Sequence, residues 1–337
     1  MNNDARAPTL KDVAAHCGVS VISASRVMRD APNVSKSLRE KVERSAQIIG
    51  YKRNRIAGAL RGQATDLIAV IVPSMSNHVF PNIVDGIDDA LQGSQLRVVL
   101  GMSKYNDINE EAILRDMLTW NPAGVILSGL EHSEKTKEML SYFSGPIVEV
   151  MDTDGESIDM AVGISMAEAG ILIAQHLVAK GYKRIAYVGA WGERPKRSVK
   201  RRVAFEAELI RLKTPLVTSV ILDGESSLER GAKGIKQLLE RGIDLDAVFF
   251  ANDDLALGAL FYCQANDIRV PDEIALAGFN GIEMCQSISP RLTTVSTPRY
   301  EIGRLAGELV RKHIGRTEIP DRKVFPLNLE LIEGSTT

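Results

Sequence analysis

The chain has 337 residues, 45% of them hydrophobic and 25% charged, which is length enough for about two cores and the composition of a soluble globular protein. No apolar run reaches the roughly 20 residues that span a bilayer, and the N-terminal MNNDARAPTLKDVAA has no signal-peptide core, so a cytoplasmic location is expected. The net charge of −2 hides an asymmetry: residues 1–62 hold twelve Lys and Arg against five acids, a charge of +7, and the remainder carries −9. A basic head on an acidic body calls for a polyanionic partner at one end. Cys17, Cys263 and Cys285 are odd in number and far apart, which suits neither a disulfide framework nor a zinc site; buried structural thiols in a reducing compartment are expected.

The head reads as short helices. Thr9 precedes Leu10 with Asp12 three places on, a capping box that opens a helix through about His16. Gly18 stops it, and Ser20 can cap a second helix over Val21 to Met28. Between them lie Cys17, Gly18 and Val19, the short Gly-containing turn of a helix-turn-helix. A third helix is predicted from about Ser35 to Ile49, ended by Gly50. Leu10, Val13, Ala14, Val19, Ala24 and Val27 recur with helical spacing and can form a small core. Val21, Ile22, Ser25 and Arg26 lie on or near the face opposite Ala24 and Val27. In a major groove an Arg pairs with guanine while apolar side chains meet thymine methyls; a helical hairpin docking another protein is the alternative.

After residues 62–64 the pattern changes to short apolar runs alternating with amphipathic helices. Predicted strands cover 67–72, 96–100, 124–128, 147–150, 185–188, 217–222, 247–251 and 274–279, with helices over 110–120, 167–180, 198–212 and 230–241 among those between them. Such alternation implies parallel sheets covered on both faces. It occurs twice, with a seam near 159–164, so two Rossmann-like lobes with a ligand cleft between them are expected. Enzyme signatures are missing: Gly189-Ala190-Trp191-Gly192 is not a dinucleotide fingerprint, no P-loop, HExxH or GxSxG occurs, and the five histidines lack metal spacing. Asp253-Asp254 fits a helix start better than a catalytic pair. The expectation is a protein without catalysis, cofactor or metal.

The segment TLKDVAAHCGVSVISASRVMRDAPNVSKSLREKVERSAQIIGYKRNRIAGAL resembles, over its whole length, the DNA-binding head of the LacI/GalR repressor family. The resemblance implies operator-selecting roles for Val21 and Ile22, a base contact for Arg26 beside Ser25, and phosphate contacts for Thr9, Ser20, Ser35, Tyr51 and Asn54. It makes Asn54 to Leu60 a hinge helix, with Leu60 wedged into the minor groove, where an apolar insert unstacks a base step and bends the duplex. Arg53 stands where the family usually has Pro, and Gly58 costs about 1 kcal/mol relative to Ala inside a helix. Both departures weaken the hinge, which is therefore expected to be disordered without DNA.

The segments HLVAKGYKRIAYVGA, FFANDDLALGAL, RVPDEIALAGFNG and LTTVSTPRYEIGRLA resemble the sensor domain of the same family, a fold like that of periplasmic binding proteins. Within the family, PSMSNHVFPNIVDGI, VILSGLEHSEKT and VEVMDTDGESIDMAVG resemble most the gluconate and 2-ketogluconate type of repressor. The implied effector site holds Phe80 as an aromatic cover, Asp152 as a hydroxyl-binding carboxylate, Arg201 as the gripping arginine and Asn252 as a hydroxyl-binding amide. Ser128 and His132 can add polar contacts to this site, with a plain loop position as the equal alternative for either. Asn280 replaces the usual Asp, which removes a negative charge and leaves Arg201 to pair bidentately with a carboxylate. Arg197, Lys200 and Arg202 read as solvated neighbours of Arg201. The implied organisation is a head over 1–52, a hinge over 53–64 and a sensor over 65–337. Its first lobe covers about 65–161 and 292–322, its second about 162–291 and 323–335. The implied partners are duplex operator DNA, a sugar-acid effector and a second copy of the chain, since a twofold protein reads a pseudo-palindrome. A neutral sugar, nucleoside or purine effector, a sugar receptor without DNA function and a sugar-modifying enzyme are the rival readings.

Overall fold

A computed structural model describes residues 8–28, 31–52, 64–76, 78–192, 196–314 and 323–337, which belong to two units, Met1–Thr65 and Asp66–Thr337. In the first unit, local hydrogen bonding sets the helix boundaries. The amide and hydroxyl of Thr9 donate to Asp12 Oδ2 at 2.7 and 2.6 Å, opening α1 (Leu10–Cys17). Gly18, at φ 61, takes the left-handed conformation that closes α1, a position where a side chain is strained. Ser20 Oγ accepts from the Ser23 amide at 3.0 Å at the start of α2 (Val21–Met28), and Ser35 Oγ from Leu38 at the start of α3 (Lys36–Ile48). Val13, Ala14, Cys17, Ala24, Val27, Val42 and Ala46 form the core these helices share. The expected hinge over 53–64, with Arg53, Asn54, Gly58 and Leu60, lies outside the described residues except for its last position.

The second unit is built on two six-stranded sheets. The first half of its chain runs β1 (Leu67–Val72), α4 (Val79–Leu91), β2 (Arg97–Met102), α5 (Asp107–Leu118), β3 (Gly124–Ser128), α6 (Glu134–Ser141), β4 (Ile147–Asp152) and β5 (Met160–Ile164). The second half runs α7 (Met166–Ala179), β6 (Ile185–Gly189), α8 (Lys196–Arg211), β7 (Thr218–Ile221), α9 (Leu228–Glu240), β8 (Ala247–Phe250), α10 (Asp253–Ala265), β9 (Ala275–Asn280), α11 (Met284–Ser287) and β10 (Thr293–Ser296). The chain ends with α12 (Arg299–His313), β11 (Val324–Pro326) and β12 (Glu330–Ile332). The sheet orders are β11-β5-β4-β3-β1-β2 and β12-β10-β9-β8-β6-β7, all parallel except the β10–β12 pair. Interior strands such as β4, β5, β6 and β8 are buried along their whole length, as helices on both faces require.

The strand pairing corrects the expected lobe limits. The 159–164 stretch is not a seam: Met160–Ile164 is a fully buried strand that pairs with β4 and β11 in the first sheet. The chain crosses to the second lobe immediately afterwards, where Ser165 caps α7. Likewise β10 lies in the second sheet, not the first lobe, and β11 in the first sheet, not the second lobe. The first lobe is therefore 66–164 with α12 and β11, and the second 165–296 with β12. An apolar run of five residues, or a strand of three, has too little periodicity to declare which sheet it joins.

Helices on each lobe approach closely through glycine. A Cβ on Gly303 of α12 would stand 2.0 Å from the Ile83 carbonyl oxygen of α4, and one on Gly170 of α7 would stand 2.2 Å from that of Arg201 on α8. The second contact seats α8, and with it Arg201, against the second lobe. Cys17, Cys263 and Cys285 are all buried and unpaired, as expected.

Candidate functional site

Helix α2 presents an apolar and basic face to solvent. Ile22 is 74% exposed and Val21 42%, Arg26 is exposed, and Ser25 half-buried, while Ala24 and Val27 on the opposite face reach the core. Exposure of two adjacent β-branched residues beside an arginine has no packing rationale within this unit; it fits groove floor and thymine methyl contacts. In this structure Arg26 Nη2 donates to the Pro32 carbonyl at 3.3 Å, so the guanidinium lies on its own loop. Thr9, Ser20 and Ser35 stand at the N-termini of α1, α2 and α3, where exposed amides and the helix dipole suit a phosphate. Tyr51 is half-buried and packs against the head's core.

In the second unit a cleft opens between the lobes at the carboxyl ends of the strands, the binding position of open parallel sheets. Its central chamber, about 70 Å³, is walled by Val79, Phe80, Tyr105 and Met151 from the first lobe. From the second lobe it takes Met166, Ala190, Trp191, Arg197, Ser198, Arg201, Ser226, Ala251, Asn252, Phe279 and Asn280. Four of the six predicted effector residues, Phe80, Arg201, Asn252 and Asn280, thus meet around one space, and no Asp or Glu lines it among the described residues.

Arg201 dominates the chamber. It is 5% exposed, donates from Nη2 to the Ala251 carbonyl at 2.7 Å, and lies with its guanidinium carbon 3.6 Å from the centre of the Phe279 ring. Its Nε is buried without a partner, and among the described residues no carboxylate lies within ion-pair distance. Burial, with the neighbouring Arg197 charge adding to it, brings its pKa down to about 10, so it stays cationic at pH 7. Asp253 and Asp152 act on this cation only from beyond ion-pair distance, so its burial is incompletely offset, and its open side faces the chamber.

The amides are placed by backbone geometry. Asn252 caps α10, its Oδ1 accepting from Leu255 at 3.1 Å and its Nδ2 donating to Ser226 Oγ at 2.7 Å. Asn280 ends β9 at φ 125, a conformation a non-glycine residue rarely holds, and its carbonyl accepts from Arg299. Strain of this kind is found where a side chain must be aimed at a site.

The other two predicted residues lie outside the chamber. Ser128 lines an adjacent space of about 510 Å³ and accepts from Arg197 Nη1 at 3.1 Å. Asp152 is fully buried and receives Lys200 Nζ at 2.7 Å and the Asp154 amide at 2.9 Å, so it serves as an ion-pair partner and not as a hydroxyl acceptor here. Lys200 also contacts Glu131, which ties α8 of the second lobe to the first. His132, on the wall of the larger space, pairs with Glu110 at 2.7 Å and faces buried Glu149 at 3.4 Å. Burial alone would lower its pKa, but its bonds to the two glutamates overcome this and raise it to about 9.

Arg197 and Lys200 are therefore not solvated neighbours of Arg201. Their spacing carries the signal: positions 197, 200 and 201 share one face of a helix at i, i+3 and i+4. Arg197 lines both spaces and sits 5.8 Å from the Phe80 ring centre. Tyr105 and Trp191 also escaped sequence reasoning; nothing local marks a loop aromatic as a cleft wall. Among the described residues no cluster suits a metal ion, and no helix is long and apolar enough to cross a membrane.

Residues 9–54 match the bacterial regulatory proteins of the lacI family, and residues 174–337 match the periplasmic binding protein-like domain. The chain is similar to the HTH-type transcriptional regulator GntR of Pseudomonas aeruginosa, at 35% identity over 98% of this chain and 96% of the relative. Among solved structures it is similar to a LacI-family transcriptional regulator from Silicibacter pomeroyi, with 38% identity, a TM-score of 0.91, and 98% and 99% of the two chains covered. It is also similar to the lac repressor dimer bound to operator and the anti-inducer ONPF, with 25% identity, a TM-score of 0.81, and 98% and 99% covered.

Proposed function

Because the chain belongs to the lacI family of bacterial regulatory proteins, we propose that it represses a sugar-acid utilisation operon and leaves its operator when a sugar acid binds the sensor cleft. The protein is a DNA-binding repressor and not an enzyme; what the geometry adds is the class of effector. The observation that carries it is Arg201, cationic, buried and without a directly paired carboxylate among the described residues, facing a chamber whose described walls hold Arg197 and no acid. A carboxylate there receives charge-assisted hydrogen bonds, and Phe80, Asn252 and Asn280 are left to meet the carbon chain and hydroxyls. A neutral sugar leaves the cation unpaired, so that rival has less support.

On the DNA side, Thr9, Ser20, Ser35, Tyr51 and Asn54 hold phosphates, and Val21, Ile22, Ser25 and Arg26 read bases, with Leu60 as the minor-groove wedge. Two copies of the chain present two heads to a pseudo-palindrome in the cytoplasm. An effector that binds one lobe arrangement better than the other shifts the population toward it. A coupling of about 2 to 3 kcal/mol weakens operator affinity roughly 30- to 150-fold.

Calorimetry with D-gluconate, 2-ketogluconate and D-glucose at pH 7 tests the effector class. One charge-assisted hydrogen bond is worth about 1.5 to 3 kcal/mol, so an acid is expected to bind about 10- to 150-fold more tightly than glucose. Equal or tighter binding of glucose contradicts the reading.

A further inference from the structure

The turn after β9 holds Asn280 and Gly281 at φ 125 and φ 67, two successive residues in the half of backbone space that favours glycine. A Cβ on Gly281 would stand 2.6 Å from the Ser296 side chain, so the turn is pressed onto the end of β10. The Asn280 side chain lines the central chamber, and among the described residues its amide makes no hydrogen bond that would hold it there. Its aim is therefore set by the backbone, and a side-chain-bearing residue keeps φ 125 only where its neighbours over-determine it.

Charged groups hold this backbone from both sides. Asp253, 1% exposed at the start of α10, accepts from the Ile282 amide at 2.9 Å and from Thr294 Oγ1 at 2.6 Å. Thr294 Oγ1 in turn accepts from the Gly281 amide at 3.2 Å. On the carbonyl side the Arg299 guanidinium spans two successive oxygens: Nη1 donates to that of Asn280, and Nη2 to that of Gly281 at 3.2 Å. The Thr297 amide and hydroxyl reach the Asn280 oxygen at 3.3 and 3.4 Å, longer and without charge. A planar fork suits two adjacent acceptors, and its charge makes these the stronger bonds. Arg299 opens α12, which packs on α4 of the first lobe, whereas Asn280 ends a strand of the second. The fork thus bridges the crossover at Thr297 and Pro298 and fixes a second-lobe residue from a first-lobe helix.

We propose that Arg299, which is not among the described walls of the chamber, is a positioning residue of the effector site: it holds the turn that aims the Asn280 amide at the ligand. The choice of probe rests on the sugar-acid reading above. An arginine that acts through Asn280 matters to affinity only while that amide is there to be aimed.

Calorimetry with D-gluconate on the wild type, Arg299→Met, Asn280→Gly and the double variant separates this from general support of the fold. Glycine keeps the backbone of the turn and removes the amide. Arg299→Met is expected to weaken gluconate about 2- to 13-fold, the worth of one hydrogen bond. In the Asn280→Gly background the same change is expected to cost less than about twofold. Arg299→Lys keeps the charge without the fork and is expected to fall between; it replaces methionine in the cycle if Arg299→Met does not melt cooperatively. Equal losses in both backgrounds, or no loss in either, overturn the role. Hydrogen exchange reads the turn without ligand: Arg299→Met is expected to speed exchange of the Gly281 and Ile282 amides, and unchanged protection there overturns the role as well. A wild type that binds D-glucose but not gluconate sinks the sugar-acid reading instead, and the same cycle run with glucose then decides Arg299.

Discussion

Replacing Arg201 with methionine lowers sugar-acid affinity by about 150- to 20,000-fold while operator binding without effector stays at the wild-type level. The size follows from two charge-assisted hydrogen bonds of a guanidinium fork, each worth about 1.5 to 3 kcal/mol. The selectivity follows from position, since Arg201 lies in the sensor unit between Phe279, Met166 and the Ala251 carbonyl. Methionine fills the same apolar surroundings without the charge. Because the arginine is buried with no carboxylate partner among the described residues, its loss is expected to leave the melting temperature unchanged or raise it. Arg201→Lys keeps the charge but not the fork, and is expected to recover part of the affinity. Calorimetry and thermal melts read both quantities; a methionine variant with wild-type affinity places the carboxylate elsewhere.

The second large effect belongs to the head. Arg26→Ala is expected to remove one bidentate base contact per half-site, about 1 to 3 kcal/mol each. With two heads on a pseudo-palindrome the operator affinity falls roughly 30- to 20,000-fold, while affinity for random DNA changes far less. Arg26 sits on the exposed face of α2 and, among the described residues, its side chain makes one long bond, to the Pro32 carbonyl, so truncation leaves the helical core of Ala24 and Val27 untouched. Anisotropy titrations of a fragment selected from a random pool, against unrelated DNA, provide the comparison. Unchanged discrimination removes Arg26 from base reading.

How much of this was written in the chain depends on the range of the interaction. The head was legible because its signals are local: the Thr9–Asp12 box, Gly18 at a left-handed turn and the Ser35 cap each act within four residues. The long apolar strands were legible for the same reason, since burial on both faces demands runs such as LIAVIV. The lobe crossovers were not, because β5, β10 and β11 declare their sheet only through partners distant in sequence. Within the site, Phe80, Arg201, Asn252 and Asn280 converge as family motifs implied. Asp152 departs from its expected part because Lys200, 48 residues away, claims its carboxylate at 2.7 Å. The Tyr105–Trp191 contact spans both lobes and has no local trace at all.

The most direct test of a metabolite-controlled DNA grip is one titration. The full-length protein is added to a labelled promoter fragment at two salt concentrations, with and without saturating D-gluconate. The account predicts operator binding about a thousandfold or more tighter than to random DNA, weaker at the higher salt, and reduced roughly 30- to 150-fold by the sugar acid. Binding that prefers no promoter fragment over bulk DNA, at either salt concentration, contradicts it.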